Sequence, residues 1–145
     1  MAQKSFYVDT CIWLNLFKKE GDAAKGIPYW KIAKDFIDKV KKDKDKIVVS
    51  ILILKELSFK AKEKFCIIKE FFKDEGYIEI VKVIRDDYIF ARKLESESGF
   101  GISFFDCLHV AISKRLNLTL ITRDKGLIGF SADYVEVKKP EESVS

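Results

Sequence analysis

Apolar residues along this chain recur with two alternating periods. Short, mainly apolar runs at Phe6-Tyr7-Val8, Ile47-Val48-Val49 and Leu118-Thr119-Leu120-Ile121 read as buried strands. An alternating, β-branched run over 77–83 adds a third strand in chain order, and 134–137 adds a last strand at an edge. Between the strands, apolar residues return every three or four positions, which is helical spacing, over 12–17, 30–43, 51–59, 61–74, 86–97 and 103–116. Pro28 suits the first turn of a helix, Ser50 an N-cap, and Gly76 a C-terminal cap. Residues 20–27 and 98–102 read as loops, and 124–129 as a turn or single helical turn. Strands alternating with helices predict an α/β three-layer sandwich around a mostly parallel sheet of about five strands. One domain is expected over 1–138, with a loose polar tail over 139–145.

The stretch Ser103-Phe104-Phe105-Asp106-Cys107-Leu108-His109-Val110-Ala111-Ile112 is too apolar for a surface helix and is expected to pack deep. Asp106 nevertheless sits in its first turn, and an ionised carboxylate is costly there unless paired, hydrogen-bonded or bound to metal. The same anomaly recurs. Asp9 follows the first strand, Glu56 interrupts the oily segment Ile51 to Leu57, and Asp124 follows the strand ending at Ile121. In open parallel sheets the site lies outside the carboxyl ends of the strands. Asp9 and Asp124 fall there, and Glu56 lies in the helix leaving the second strand. Asp106 joins them if its helix starts at that rim.

Each acid also has an ordinary reading. Asp9 suits an N-cap, Ser103-x-x-Asp106 fits a capping box, Glu56 can snorkel to solvent, and Asp124 fits turn chemistry. Taken together they point to an acidic pocket. Four carboxylates without cations repel one another, and a hard divalent cation relieves that. Oxygen-only ligation favours Mg²⁺ or Mn²⁺ over zinc. Such a cluster suits hydrolysis of a phosphodiester by a metal-activated water.

Composition narrows the classes further. The chain has 145 residues, 48% of them apolar, with a net charge of +4. A basic excess held in runs such as Lys39-Val40-Lys41-Lys42 is compatible with nucleic-acid binding and equally with a solvated face. The longest apolar runs are too short for a transmembrane helix, no apolar signal core follows Met1, and a cytoplasmic protein is expected. Cys11, Cys66 and Cys107 form no CxxC pair, which favours reduced thiols. No nucleophile elbow and no glycine-rich phosphate loop occurs.

The segments Val8-Asp9-Thr10, Leu54-Lys55-Glu56-Leu57, Phe105-Asp106-Cys107-Leu108-His109-Val110-Ala111 and Ile121-Thr122-Arg123-Asp124 together resemble the four acidic motifs of the PIN-domain family. The likeness runs from Tyr7 to about Val137. The short length is most similar to the VapC-type toxins of toxin–antitoxin pairs. The resemblance implies a Mg²⁺-dependent endoribonuclease whose metal is held by Asp9, Glu56, Asp106 and Asp124. Thr10 and Thr122 would orient a ligand or water. It implies RNA as substrate, a homodimer, and an antitoxin seated in a groove near the site.

Arg123 and Lys125 are candidates for phosphate contact, with solvated surface charge as the alternative. Trp13, Tyr29 and Trp30 are candidates for base stacking or for core. Helices 12–17 and 65–72 are candidate partner surfaces, with core burial as the competing explanation. Cys11 and the bulky Trp13, near the presumed mouth, depart from the family's pattern. His109 reads as a general base or as a hydrogen-bonded core histidine. Asp133 reads as a further rim acid or a loop cap. The alternative function is a PIN-fold RNA-binding or assembly module without nuclease activity. Retention of all four acids argues against it.

Overall fold

The computed structural model describes residues 3–143. Its strands are β1 (Ser5–Val8), β2 (Lys46–Ser50), β3 (Ile78–Val81), β4 (Thr119–Ile121) and β5 (Val137–Lys138). They form one sheet in the order β3-β2-β1-β4-β5, and every pairing is parallel. The centre of a parallel sheet is covered on both faces, so its strands are continuously apolar. Phe6, Tyr7 and Val8 of β1 are accordingly all buried.

The helices are α1 (Thr10–Phe17), α2 (Tyr29–Lys42), α3 (Ile51–Lys60), α4 (Phe65–Asp74), α5 (Arg85–Glu97), α6 (Phe104–Arg115) and α7 (Lys125–Ser131). They cover both sheet faces, as the alternating residues of β1 show. Phe6 meets Phe36 of α2 edge-on at 5.3 Å, while Tyr7 on the opposite face meets His109 of α6. Among the described residues, no helix is long and apolar enough to cross a membrane.

After β1 the chain builds outward through β2 and β3. It then returns past β1 to lay down β4 and β5 on the other side. The order therefore reverses between β1 and β4, and a crevice opens there at the strands' carboxyl ends. Helix α6 precedes β4, so it runs back across the sheet with its first turn at that same rim.

Local structure departs from expectation in five places. The expected helix 61–74 divides into a 3₁₀ turn, Lys62–Lys64, and α4. Gly76 has no left-handed backbone, and α4 instead ends where Glu75 turns extended. Pro28 is the N-cap of α2 rather than part of its first turn. Strand β5 is shorter and later than 134–137. The tail is not loose over its described part. Pro140–Ser143 forms a 3₁₀ turn, Pro140 is buried, and Glu141 forms an ion pair with Arg123. The tail's last two residues lie outside the described range.

The helix pair α5–α6 is clamped at one end by a buried charge. Asp87 is 1% exposed and accepts both Arg115 Nε at 2.8 Å and Arg115 Nη2 at 3.0 Å. Its carboxylate also accepts the Ile84 amide at 3.0 Å, which satisfies a free N–H at the start of α5. Removing one partner of a buried pair leaves an uncompensated charge. Arg115→Ala is therefore expected to lower the unfolding free energy by about 3 kcal/mol in urea titrations. Asp87→Asn is expected to lose less, because Arg115 lies near enough to solvent to turn outward.

Candidate active site

The site begins at the β1–β4 junction. Register pairs Val8 with Ile121, so their successors in the chain, Asp9 and Thr122, stand side by side. Asp9 is nearly buried and caps α1, its Oδ1 accepting the Thr10 amide at 2.8 Å. Its Oδ2 accepts the Thr122 hydroxyl at 2.8 Å and the Cys11 thiol at 3.6 Å. Thr122 Oγ1 in turn accepts the Asp124 amide at 3.2 Å. Asp124 caps α7, accepting the Leu127 amide at 3.2 Å. One threonine hydroxyl thus ties the first and last acids of the site together. Asp9 does cap a helix, Asp124 caps one too rather than serving only a turn, and Thr122 links the Asp9 carboxylate to the Asp124 backbone.

Asp106 completes the cluster from α6. Ser103 accepts the Asp106 amide at 3.1 Å, which is half of a capping box. The Asp106 carboxylate lies near Ser103 and within electrostatic reach of Asp9 and Asp124. Burial pushes the Asp106 carboxyl up from the ordinary range. The negative charge of Asp9 pushes it further, His109 and Ser103 pull it back, and Asp124 adds a lesser push upward. The three aspartates are therefore close enough to interact electrostatically.

Glu56 stands apart in its bonding. It does not snorkel; its side chain is 24% exposed and its Oε1 meets His109 Nε2 at 2.7 Å. Burial pushes the Glu56 carboxyl up, but the His109 hydrogen bond and the charges of His109 and Lys60 overrule burial and hold it below the usual range. The Thr10 hydroxyl lies close enough to contribute in the same direction. Thr10 Oγ1 nonetheless makes no hydrogen bond of good geometry although it is buried.

The remaining candidates separate clearly. The Arg123 guanidinium is paired to Glu141 at 3.0 Å and lies over the Tyr29 ring at 4.2 Å, and its buried Nε has no hydrogen-bond partner among the described residues. Tyr29 is thereby occupied. Lys125 is exposed at the start of α7. Trp13 is not at the mouth; it is fully buried, donates to the Val8 carbonyl at 3.1 Å and packs 4.7 Å from Phe72. Trp13, Phe17, Phe71 and Phe72 form one aromatic cluster, so the inner faces of helices 12–17 and 65–72 cover each other. Trp30 is half-buried. Asp133 is exposed and lines a cavity of about 950 Å³ at the amino ends of the strands, together with Ser5 and Thr119. That cavity lies at the opposite end of the sheet from the acidic rim.

Two residues that carry no functional signal in the linear pattern, Tyr7 and Ser50, belong to the neighbourhood. Tyr7 Oη contacts His109 Nδ1 at 2.6 Å and Ser50 Oγ at 2.7 Å. The only local hint is a phenol hydroxyl inside an apolar strand. Its partners are 102 and 43 positions away.

The chemistry of the donors suits a hard cation. None of Asp9, Asp106 and Asp124 has a lysine or arginine partner among the described ion pairs, and Thr10 offers an orphaned buried oxygen. The one sulfur present is disfavoured as a ligand, since burial and the Asp9 charge push the Cys11 thiol up to about 12. Among the described residues, no three acidic, histidine or cysteine side chains are spaced to close on a metal together. Mg²⁺ does not require that, because it binds through one or two carboxylates and retains water.

A parallel α/β domain with carboxylates gathered at its switch point defines a class, and the sequence narrows it. Residues 6–131 match the PIN domain, and the chain belongs to that family. No curated protein matches the sequence significantly. The fold is similar to several solved structures. FitAcB from Neisseria gonorrhoeae has a TM-score of 0.65 at 17% identity, covering 93% of this chain and 97% of that one. A toxin–antitoxin complex from Klebsiella pneumoniae has 0.66 at 19%, covering 93% and 97%. VapBC2 from Rickettsia felis, bound to a promoter DNA fragment, has 0.68 at 17%, covering 93% and 98%.

Burial of the Asp106 carboxyl, with Asp9 and Asp124 nearby, has a measurable consequence. Folding raises the Asp106 pKa, so the folded state holds that proton more tightly than the unfolded chain. Its contribution to stability therefore falls as pH rises through the carboxylate range. Asp106→Asn is expected to stabilise the metal-free protein at neutral pH. It is also expected to flatten that part of the pH dependence, read from melting curves between acid and neutral pH.

Proposed function

We propose that this protein is a Mg²⁺-dependent endoribonuclease, the toxin of a toxin–antitoxin pair. The observation that carries the reading is the set of three aspartates at the β1–β4 crevice. Asp9 and Asp124 oppose the ionisation of Asp106, and no cationic side chain pairs with any of the three among the described ion pairs. PIN domains are generally nucleases, which supports hydrolysis of phosphodiester bonds by this chain. The ion would draw its one or two carboxylate ligands from Asp9, Asp106, Asp124 and Glu56. When bound, Mg²⁺ supplies an activated water and stabilises charge on the phosphate, with Mn²⁺ able to substitute.

The chain's own groups set that stage. Thr122 fixes the Asp9 carboxylate by donating to Oδ2, and α1 fixes it from the other side through the Thr10 amide. The amino ends of α1 and α6 point at the rim, and their dipoles favour negative charge there, whether carboxylate or phosphate. Lys125, exposed next to Asp124, is the side chain left to meet a phosphate once Arg123 is held by Glu141. No side chain of the site is arranged as a nucleophile. The reaction is therefore assigned to water and forms no covalent enzyme intermediate.

An antitoxin partner is supported by the structural neighbours, several of which are toxin–antitoxin complexes. A homodimer is part of the same proposal. Ile84, Tyr88, Ile89, Phe100 and Phe105 are exposed around α5 and the start of α6, and such apolar patches mark protein contact. A PIN-fold module lacking nuclease activity is the competing reading, and the presence of all four acids disfavours it.

The test is cleavage of total RNA by the purified chain. Cleavage is expected with Mg²⁺ and is expected to stop with EDTA. Asp9→Asn is expected to reduce the rate by about 100-fold or more. Cleavage that survives EDTA, or full activity in Asp9→Asn, would refute the assignment.

A further inference from the structure

We infer that Tyr7 and His109 are positioning residues for Glu56, fixing its carboxylate at the edge of the acidic rim. This rests on the metal-site reading above and assigns new residues to it. Asp9 and Asp124 are fixed by backbone amides at helix starts, and Asp106 rises from the first turn of α6. Glu56 accepts no backbone amide among the described hydrogen bonds. It projects from the second turn of α3 on a flexible stem, and the groups acting on its carboxylate are His109 at 2.7 Å, Lys60 at 3.9 Å and the nearby Thr10 hydroxyl.

The Glu56 carboxylate can only accept, so His109 donates to it from Nε2, 2.7 Å from Glu56 Oε1. In the neutral imidazole Nδ1 is then the acceptor, and Tyr7 Oη donates to it at 2.6 Å. Ser50 Oγ, which also accepts the Ile53 amide at 3.4 Å, lies 2.7 Å from Tyr7 Oη and completes the chain. If the imidazole is doubly protonated, Nδ1 donates to Tyr7 Oη instead, and Nε2 still donates to Glu56. Either state presents the same N–H to the carboxylate.

Both members are sealed from water, His109 and Tyr7 each having no exposed surface. The Ser113 hydroxyl donates to the His109 carbonyl at 2.8 Å, one turn further along α6. A core histidine needs only to satisfy its nitrogens. This one spends one nitrogen on a carboxylate that also lies beside the hydroxyl of Thr10, the residue after Asp9. The relay spans β1, β2, α3 and α6, so it locks the acid from α3 to the element that carries Asp106. Second partners of this kind hold metal ligands in place, and losing one typically weakens metal affinity or activity by about 10–100-fold.

The test is calorimetric binding of Mn²⁺ to the full chain and to five variants. These are His109→Met, His109→Gln, Tyr7→Phe, Glu56→Gln and the His109→Met/Glu56→Gln double. His109→Met is expected to weaken Mn²⁺ binding by roughly 10-fold or more. His109→Gln, which keeps an N–H toward Glu56, is expected to recover most of that. Tyr7→Phe is expected to fall between the native chain and His109→Met. The double variant is expected to bind no more weakly than Glu56→Gln alone, because the histidine acts only through that carboxylate.

Native affinity in both His109→Met and Tyr7→Phe would overturn the proposal. So would losses that add to that of Glu56→Gln, since they would mark general loosening of the core. If His109→Met does not fold, Tyr7→Phe combined with Glu56→Gln completes the same cycle. Failure of the unsubstituted chain to bind Mn²⁺ would instead sink the metal reading, and the relay with it.

Discussion

Carboxylates crowded at an apolar edge repel one another, and the rest of this structure is arranged around that fact. Asp9 is almost buried, Asp106 is half-buried, and both lie at the mouth of a sheet whose centre is fully apolar. At Asp106 burial and the charges of Asp9 and Asp124 oppose ionisation and outweigh the opposite pull of His109 and Ser103. Backbone amides and one threonine hydroxyl hold the charges in place without cancelling them. A fold selected only for stability would have put an amide or an aliphatic residue at one of these positions.

The architecture makes this crowding unavoidable. A parallel sheet whose order reverses between β1 and β4 opens a crevice there, and the residues just past each strand's carboxyl end must face it. Asp9 and Asp124 are the cap residues that start the helices after β1 and β4. Helix α6 must run back toward the carboxyl ends because it precedes a parallel strand, and so its first turn delivers Asp106. The Asp87–Arg115 clamp fixes α6 against α5, and the cluster of Trp13, Phe17, Phe71 and Phe72 fixes α1 against α4.

Two charged groups show how neighbours decide a role. Arg123 sits between Thr122 and Asp124 and, by position, belongs to the site. Its guanidinium is nevertheless held by Glu141 and Tyr29, which anchors the chain's end to the loop that carries Asp124. His109 shares a helical face with Asp106, yet its ring turns to Glu56 and Tyr7. In both cases the sequence spacing is right, and the partner that fixes the role comes from a distant segment.

The sequence by itself determined the alternation of strand and helix, the positions of Asp9, Asp106 and Asp124 at element boundaries, and the oxygen-rich character of the donors. Those are local properties, set by periodicity, caps and the solvation of single side chains. Only the tertiary structure decided that every strand pair is parallel and that Trp13 is core rather than mouth. The Tyr7–His109–Glu56 contacts, and the folding of residues 140–143 back onto Arg123, were likewise decided there. Each depends on which segments, tens of residues apart, come within hydrogen-bond or van der Waals reach. Burial and partner choice are properties of the packed chain, and a linear pattern specifies only which residues are able to supply them.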